Sequence, residues 1–357
     1  MKLDTKNYEF YNEGDDLYAS MLKAIDGAQT SVLLETYIFA DDEVGQRFVE
    51  ALIAAVRRGV EVCVHIDAAG SLFWHSRRLA HYMQSNGIQL RWFHRWSWHQ
   101  PWRYNRRNHR KLLVLDYRHV YLGGFNIHRE NSAASYGEHR WHDIHISTTG
   151  WLGMQAAQLF DAFWQHKLHV NASYTNNGDM LISNHSKTCR RSMRRMYREG
   201  FARARQSILI TTPYFVPDHR TRQALIMAAS RGIAVKLLLP RKTDVSIARW
   251  AAHASYARLL AAGVQIYEYL PRVLHAKMVL VDYKWAVVGT ANIDYRSFFV
   301  NYELNLITAN KQLCHDLHQQ FTTDLALSEQ VHARHWARRP WFGRVAETLA
   351  WLIRRWL

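Results

Sequence analysis

Two short motifs hold the residues of this 357-residue chain whose types and spacing could do chemistry. Each motif is a histidine, a lysine two positions later and an aspartate five positions after that: His109, Lys111, Asp116, and His275, Lys277, Asp282. A neutral imidazole can attack phosphorus, and a protonated one can donate to the leaving oxygen. Ammonium groups stabilise the charge that builds on phosphoryl oxygens. If the two pairs converge, they suit cleavage or transfer of a phosphodiester, with neither a metal ion nor a cofactor required.

The expected backbone conformation decides which of these side chains can act together. In a strand, residues two apart point to the same face, so the histidine and lysine of each motif should project together. The apolar residues 112–115 and 278–281 predict that the strand continues into the core. Each aspartate lies seven residues beyond its histidine, about 23 Å along an extended chain. We therefore interpret Asp116 and Asp282 as structural anchors and not as groups that transfer protons.

Glycine, asparagine and acidic residues follow both motifs at comparable positions. Residues 123–126 and 289–292 are expected to bring glycine flexibility and an asparagine donor to a phosphate: Gly124, Asn126, Gly289 and Asn292. Further on, Asp143 and Glu303 could each hold the Nδ1–H of a catalytic histidine and raise its basicity. A longer polar loop precedes Asp143 than precedes Glu303, and the sequence leaves open which carboxylate pairs with which histidine.

Internal repetition supports the functional interpretation of the motifs. Residues 31–42 align without gaps on residues 207–218 at an offset of 176, and residues 109–116 align on residues 275–282 at an offset of 166. Two shorter matches lie between them in the same order. The drop in offset places a ten-residue insertion, rich in Trp and Arg, directly upstream of the first motif. We expect this insertion to lie near the mouth of the active site.

Hydrophobic periodicity predicts alternating helices and strands in both repeats. The first repeat reads as helix 17–28, strand 32–38, helix 45–57 and strand 60–66, and the second as helix 192–204, strand 208–212, helix 220–230 and strand 234–239. This alternation predicts an α/β fold of two pseudo-symmetric repeats, each a mixed β-sheet flanked by helices, with the active site at the interface between the halves. We expect a first repeat over residues 1–170, a linker over 171–179, a second repeat over 180–330 and a basic amphipathic tail over 331–357.

The balance of charges favours an anionic partner. Lys and Arg number 46 against 30 Asp and Glu, a formal net charge of +16 that attracts nucleic acid or anionic lipid. Tryptophan beside arginine suits a bilayer interface and also suits stacking on single-stranded nucleic acid, so composition leaves both partners open. The candidate membrane-contact residues are Trp96, Trp98 and Trp102 before the first motif, and Trp341 and Trp356 near the C-terminus.

Residues 340–357 have the pattern of a helix that lies in the plane of a membrane interface. Pro340 suits a first helical position, and an apolar stripe follows it with arginines elsewhere. A terminal helix docked on the protein's own core gives the same pattern. We favour the membrane because the segment lies outside the repeats and follows a basic stretch.

Cysteine spacing and the lack of long apolar runs bear on the compartment. Cys63, Cys189 and Cys314 are widely spaced and form no Cys-x-x-Cys pattern, which favours a reducing compartment and argues against a zinc site. No run approaches 18 apolar residues and no signal peptide is evident, so we expect no membrane-spanning helix. Any membrane contact should therefore be peripheral.

The two motifs and their Gly and Asn partners resemble the phospholipase D superfamily over residues of about 15–325. Within that span, residues 212–218, 289–294 and 301–305 resemble bacterial cardiolipin synthases, most closely the form without N-terminal membrane helices. The resemblance implies metal-independent phosphatidyl transfer. One phosphatidylglycerol donates its phosphatidyl group to a histidine, glycerol leaves, and a second phosphatidylglycerol attacks the phosphohistidine to give cardiolipin.

The resemblance also implies roles and partners. By the superfamily's usual order, His109 is the nucleophile and His275 the general acid, and the family motif includes Asp116 and Asp282 in the catalytic set. The implied partner is anionic phospholipid at the cytoplasmic side of the bacterial inner membrane, with peripheral attachment and no nucleic acid. Another phospholipase D-type phosphatidyltransferase or phospholipase, or a nucleic-acid phosphodiesterase, is the alternative. The acceptor (phosphatidylglycerol, phosphatidylethanolamine, glycerol or water) and the oligomeric state stay open.

Overall fold

The computed structural model describes residues 8–72, 74, 76–99, 104–165, 178–338 and 350. Within these residues the strands are β1 Glu9–Tyr11, β2 Ser31–Thr36, β3 Glu61–Asp67, β4 Gln89–Phe93, β5 Leu112–Leu115, β6 His119–Gly123, β7 His145–Thr149, β8 Met180–Ser183, β9 Ser207–Thr211, β10 Phe215–Val216, β11 Ala234–Pro240, β12 Gln265–Tyr269, β13 Met278–Val281, β14 Trp285–Gly289, β15 Ile293–Asp294, β16 Leu304–Thr308 and β17 Ser328–Gln330. The α-helices are α1 Gly14–Gly27, α2 Glu43–Arg57, α3 Ser76–Ser85, α4 Ala133–Tyr136, α5 Trp151–Trp164, α6 Lys187–Arg203, α7 His219–Ser230, α8 Ser246–Ala261, α9 Tyr295–Phe299, α10 Lys311–Ala326 and α11 Ala333–Ala337.

Each repeat builds a mixed sheet. In the described part of the first repeat, seven strands lie in the order β1-β7-β6-β5-β2-β3-β4, and in that of the second repeat eight lie in the order β17-β12-β11-β9-β13-β14-β16-β8. Strands β2, β3 and β4 run parallel, as do β9, β11 and β12. The motif strands β5 and β13 join them antiparallel. The prediction of an α/β fold with two mixed sheets flanked by helices is confirmed.

Helices cover both faces of each sheet because the central strands are apolar on both faces. In β5, Leu113 and Leu115 pack with residues of α1 and α2, whereas Leu112 and Val114 pack with residues of α5. Successive residues of a strand point to opposite faces, which explains this alternation.

Capping residues explain where several helices begin. Helix α2 starts two residues before the periodicity predicts because Asp42 accepts the Val44 and Gly45 N–H groups. Helix α6 starts at residue 187, five residues before the prediction, because Ser186 accepts from the Cys189 N–H. These side chains set the ends of helices whose existence the periodicity predicts.

One hydrophobic core joins the two repeats. It includes Leu112 and Leu122 of the first sheet together with Met278, Val288 and Leu306 of the second, and each of these side chains is at most 3% exposed. The two sheets therefore pack against each other near the strands that carry the motifs.

Main-chain hydrogen bonds also cross between the repeats where each motif begins. The His109 N–H donates to the Tyr302 carbonyl at 3.0 Å, and the His275 N–H donates to the His142 carbonyl at 2.7 Å. Tyr302 and His142 directly precede the acidic residues singled out in the sequence. The backbone of each repeat thus delivers its histidine to the acidic residue of the other repeat.

Candidate active site

Each motif histidine pairs with the carboxylate of the opposite repeat. His109 Nδ1 lies 3.0 Å from Glu303 Oε2, and His275 Nδ1 lies 2.6 Å from Asp143 Oδ2. All four side chains are buried. The pairing that the sequence left open is therefore crossed: each histidine pairs with the carboxylate of the other repeat. This arrangement leaves Nε2 of each imidazole as the nitrogen available to a substrate.

Neutral hydrogen-bond donors hold the carboxylate of Glu303. The Thr290 hydroxyl donates to Oε2 at 2.6 Å and the Ser297 hydroxyl donates to Oε1 at 2.7 Å. The main-chain N–H of Glu303 donates to the Asn184 side chain at 2.7 Å. Burial opposes ionisation, but His109, Lys111 and Thr290 together lower the pKa of Glu303 below its ordinary value. This carboxylate is fixed in place mainly by hydroxyl groups.

A cation takes the corresponding place around Asp143. Lys277 Nζ lies 3.6 Å from Asp143 Oδ2, and the Ile144 N–H donates to Oδ1 at 2.8 Å. Burial opposes ionisation here too, but Lys277 and His275 lower the pKa of Asp143. Gly124 occupies the position that Thr290 has in the second repeat, and a Cβ there would lie 1.9 Å from Asp143 Oδ1.

The side chain of each motif lysine contacts the backbone of the histidine two residues before it. Lys111 Nζ donates to the His109 carbonyl at 2.8 Å and lies 5.2 Å from the centre of the Tyr37 ring. Lys277 Nζ donates to the His275 carbonyl and also lies 2.6 Å from His275 Nδ1. Burial lowers the pKa of Lys277 to about 8, against the pull of Asp143, and burial together with Lys277 holds the pKa of Lys111 well below its ordinary value.

Burial also sets the protonation of the histidines. It lowers the pKa of His109 to about 4, aided by Lys111 and opposed by Glu303. Burial and Lys277 lower the pKa of His275 as well, while Asp143 opposes them. At neutral pH His109 is therefore an unprotonated imidazole, the form that can attack phosphorus.

Both histidines line a single cavity of about 210 Å³ between the repeats. Asn126 and Asn292, the two predicted phosphate-binding asparagines, line it as well. The Asn126 amide oxygen accepts from the Ile38 N–H at 3.1 Å, so its NH2 end is the one that a phosphate oxygen could meet. The structure thus brings together the histidines, lysines, asparagines and carboxylates that the sequence analysis selected.

The two selected glycines lie where a side chain would have no space. A Cβ at Gly289 would lie 2.4 Å from the Leu304 carbonyl oxygen and 2.5 Å from the Asn305 side chain, much as a Cβ at Gly124 would meet Asp143. Neither glycine has a positive φ. Close approach of neighbouring chain explains why both positions are glycine, and the flexibility expected from the sequence stays a prediction.

The motif aspartates lie at the far end of their strands. Asp116 accepts main-chain N–H groups of residues 29–31 at 2.7–3.1 Å, and Asp282 accepts those of residues 205–207 at 2.7–2.9 Å. Neither is among the described residues that line the cavity. Both have a φ of 51°, and the residue after each also has a positive φ. The carboxylates tie the start of the neighbouring strand to the end of the motif strand, as an anchor should.

Several cavity residues were not selected from the sequence. Tyr37 contacts the His109 ring edge-on at 5.1 Å between centroids, and Trp141 lies 5.2 Å from the His275 ring. Tyr214, Asp244, Asp294, Arg296 and Asn301 complete the polar lining. Trp141 stands two residues before Asp143 and could have been suspected for that reason. Tyr214, Asp294 and Asn301 lie in the segments that resemble cardiolipin synthases, which was a signal for them. Asp244 and Arg296 carry no local signal, because folding brings them to the cavity from separate segments.

The predicted membrane-contact residues are only partly described. Trp96 is 50% exposed and Trp98 is 84% exposed, and their rings meet edge-on. Trp102, Trp341 and Trp356 lie outside the described residues, as do residues 171–177 of the predicted linker. Within residues 340–357 the structure describes Ala350, which is buried with Ala251 and Val216, a residue that also lines the cavity.

Two further observations concern the described residues. No helix among them combines the length and apolar character needed to cross a bilayer. In the same part of the chain, no group of three or more His, Cys, Asp or Glu side chains is arranged to hold a metal ion.

Comparisons with known proteins give consistent results. A family model described as "Cardiolipin synthase, PLD-like domain" matches residues 21–164 and 197–325. The chain is 30% identical to a cardiolipin synthase of Clostridium perfringens, covering 97% of this chain and 76% of that protein. It is also 30% identical to cardiolipin synthase 1 of Staphylococcus aureus, covering 98% and 73%. Its fold is similar to that of a phosphatidylserine synthase of Haemophilus influenzae, with a TM-score of 0.73 at 12% identity over 98% of this chain and 95% of that one.

Proposed function

The chain belongs to the cardiolipin synthase family of phospholipase D-like proteins and is an enzyme of the phosphatidyltransferase type; from this premise we propose that it joins two phosphatidylglycerol molecules into cardiolipin and releases glycerol. The observation that carries the proposal is the crossed pairing of two histidines with two carboxylates around one cavity. Two imidazoles with separate partners allow one to form a covalent bond while the other transfers protons.

In the first half-reaction, Nε2 of neutral His109 attacks the phosphorus of one phosphatidylglycerol. The bond between phosphorus and the glycerol headgroup oxygen breaks, and His275 gives its proton to that oxygen. The products are free glycerol and a phosphatidyl group on His109. The low pKa of His109 supports its role as the nucleophile. For His275, the Asp143 carboxylate at 2.6 Å favours the protonated form and opposes the burial and the Lys277 charge that lower its pKa.

In the second half-reaction, a headgroup hydroxyl of another phosphatidylglycerol attacks the phosphohistidine. His275, now neutral, takes the hydroxyl proton, the phosphorus–nitrogen bond breaks, and cardiolipin leaves with both histidines restored. Lys111, Lys277 and the NH2 groups of Asn126 and Asn292 stabilise the phosphoryl oxygens in both steps. Residues of this chain supply every catalytic group that these two half-reactions use.

The same proposal includes peripheral attachment to the cytoplasmic face of a bacterial membrane. A lipid phosphate lies at headgroup depth, so the cavity has to be held against the bilayer. The exposed Trp96 and Trp98, next to arginines of the inserted segment, suit that depth. Residues 340–357 would supply a second contact.

The test is incubation of the purified enzyme with phosphatidylglycerol vesicles in the presence of a chelator. We expect cardiolipin and glycerol in equal amounts, measured by mass spectrometry of the lipids and an assay of free glycerol. His109→Ala and His275→Ala should make neither product, whereas the exposed control His315→Ala should match the unchanged enzyme. Nicked plasmid without any lipid turnover would contradict the proposal and favour a nucleic-acid phosphodiesterase. A loss of activity in chelator that a divalent ion restores would contradict the metal-independent chemistry.

A further inference from the structure

A second cavity, lined by arginines, lies beside the catalytic cavity. It has a volume of about 540 Å³, and its positive lining comes from one face of α6 and the start of α7: Arg191, Arg194, Arg195, Arg198 and Arg220, with His219 beside them. We call it the basic cavity. Neither histidine–lysine motif contributes to its lining.

The positive charge of the basic cavity is poorly balanced within the described residues. There, no carboxylate lies within 4.0 Å of the guanidinium groups of Arg191, Arg194 or Arg198, although Arg195 pairs with Glu199 at 2.6 Å. Asp218, the carboxylate of the described lining, is engaged in capping α7 through the Thr221 N–H at 2.8 Å. Arginines four residues apart on one helix face repel each other, so this face would gain stability from a bound anion.

One arginine of the basic cavity is held in place before any ligand arrives. The Arg194 guanidinium lies over the Phe299 ring at 4.0 Å. Burial and the nearby charges of Arg198 and Arg191 lower the pKa of Arg194, against the pull of Asp218. A partly desolvated, oriented guanidinium is well suited to a phosphate, which it can meet with two parallel hydrogen bonds.

The basic cavity and the catalytic cavity are lined in part by the same segments of the chain. Arg296 of α9 lines the catalytic cavity, whereas Phe299 of the same helix lines the basic cavity. Along the chain before α7, Val216 lines the catalytic cavity and Asp218 lines the basic cavity. The two cavities are thus close neighbours, joined by α9 and by residues 216–218.

We propose that the basic cavity binds the phosphate headgroup of a second, non-reacting anionic phospholipid and so holds the catalytic cavity against the membrane surface. The inference takes its class of lipid from the proposed function. A compact depression with converging guanidinium groups suits a headgroup, whereas a nucleic-acid strand needs a groove that follows successive phosphates. Binding of lipid at the basic cavity should depend on lipid charge and weaken with salt, which distinguishes it from the tryptophan contacts.

The test compares the basic-cavity variant Arg191→Gln/Arg194→Gln/Arg198→Gln with a control that loses the same charge elsewhere. The control is Arg57→Gln/Lys284→Gln/Lys311→Gln, three exposed positions outside both cavities. Each lost charge at the membrane surface should weaken binding about fivefold, so the basic-cavity variant should bind phosphatidylglycerol vesicles on the order of 100-fold more weakly. Binding to phosphatidylcholine vesicles and turnover of a short-chain soluble phosphodiester should stay unchanged, and the control should bind like the unchanged enzyme.

Two more variants protect the test against misfolding. Arg191→Lys/Arg194→Lys/Arg198→Lys keeps the charge and should retain most of the binding. Arg191→Gln/Arg198→Gln/Arg220→Gln spares the contact of Arg194 with Phe299 and should still lose binding. Equal weakening in the control, or tight phosphatidylglycerol binding by a folded Gln variant, overturns the inference. Failure of the unchanged enzyme to make cardiolipin contradicts the proposed function instead, and the vesicle-binding comparison then still decides this inference.

Discussion

The His109 and His275 half-sites share one plan but differ in what surrounds the carboxylate. Both imidazoles use Nδ1 to contact an acidic residue of the other repeat. Glu303 is held by hydroxyl groups, whereas Asp143 is held by the ammonium group of Lys277 and has Gly124 where the other side has Thr290. A duplicated chain thus keeps one geometry while its electrostatics diverge. That divergence is what two imidazoles need if one attacks phosphorus and the other transfers protons.

The largest effect should come from removing the histidines, and the choice of leaving group should separate their roles. His109→Ala should lower turnover of a short-chain phosphodiester by on the order of 10⁴-fold or more with any leaving group, because the covalent bond cannot form. His275→Ala should cost about 10²–10⁴-fold with an alkoxide leaving group and much less with p-nitrophenolate, which needs no proton. Rescue of His109→Ala by p-nitrophenolate, with none for His275→Ala, would reverse the assignment.

Neutralising the carboxylates should show the difference between the half-sites directly. Loss of a carboxylate behind a catalytic histidine costs about 10–100-fold. Asp143→Asn should lower kcat/KM by close to 100-fold, because it also leaves the buried Lys277 without its counter-charge. Glu303→Gln should lower kcat/KM by only about tenfold. It should also move the acidic limb of the pH profile to lower pH, since Glu303 raises the His109 pKa against burial. An acidic limb that moves upward would contradict the pairing.

The pH dependence of kcat/KM on a soluble p-nitrophenyl diester, whose leaving group needs no proton from His275, should have two limbs. His109 acts when neutral and its pKa is about 4, so activity should be lost as the pH falls through about 4. Lys277 acts when charged and its pKa is about 8, so activity should fall about tenfold per unit as the pH rises above about 8. Lys277→Arg keeps the charge and should remove the alkaline limb while leaving the acidic limb in place. An unchanged alkaline limb in that variant would assign it to another group.

The glycine and threonine that distinguish the half-sites should differ in their tolerance of substitution. In Gly124→Ala, the new Cβ has to displace the Asp143 carboxylate from His275, so kcat/KM should fall about tenfold or more. Thr290→Ala removes one hydrogen bond to Glu303 while Ser297 keeps another, so the loss should be about fivefold. Steady-state kinetics on the soluble diester measure both. Equal tolerance at the two positions would mean that Asp143 does not need its present location.

The smallest effect on catalysis should come from the motif aspartates, where the two repeats are alike. Asp116→Asn and Asp282→Asn should each lower the free energy of unfolding by about 1–2 kcal/mol, because each weakens the acceptor of main-chain N–H groups at a strand start. Asparagine tolerates the positive φ at these positions, so the backbone should be kept. Turnover per folded molecule should stay within about twofold. A large loss of turnover in a folded variant would place these carboxylates in the chemistry.

Much of the fold could be predicted from local patterns. Strand and helix positions followed from periodicity, and most bounds agree within two residues. Caps explain the early starts of α2, at Asp42, and of α6, at Ser186. Ser297 and Asn184 could not be identified as supports of Glu303, because nothing in their local sequence distinguishes them from ordinary polar residues. Thr290 lies in the selected segment 289–292, but its hydrogen bond to Glu303 depends on the tertiary structure. The basic face of α6 was visible as a run of arginines, but its cavity exists only where α6, α7 and α9 meet.

The sequence by itself determined the repeated motifs, the shared face of each histidine and lysine, and the distance of each aspartate from its imidazole. These properties depend on covalent spacing and strand geometry, which act over a few residues. The tertiary structure decided the crossed pairing, which joins residues 194 positions apart at His109 and 132 positions apart at His275. It also decided the protonation of the site, because the burial that lowers the histidine and lysine pKa values arises only when the two sheets pack together.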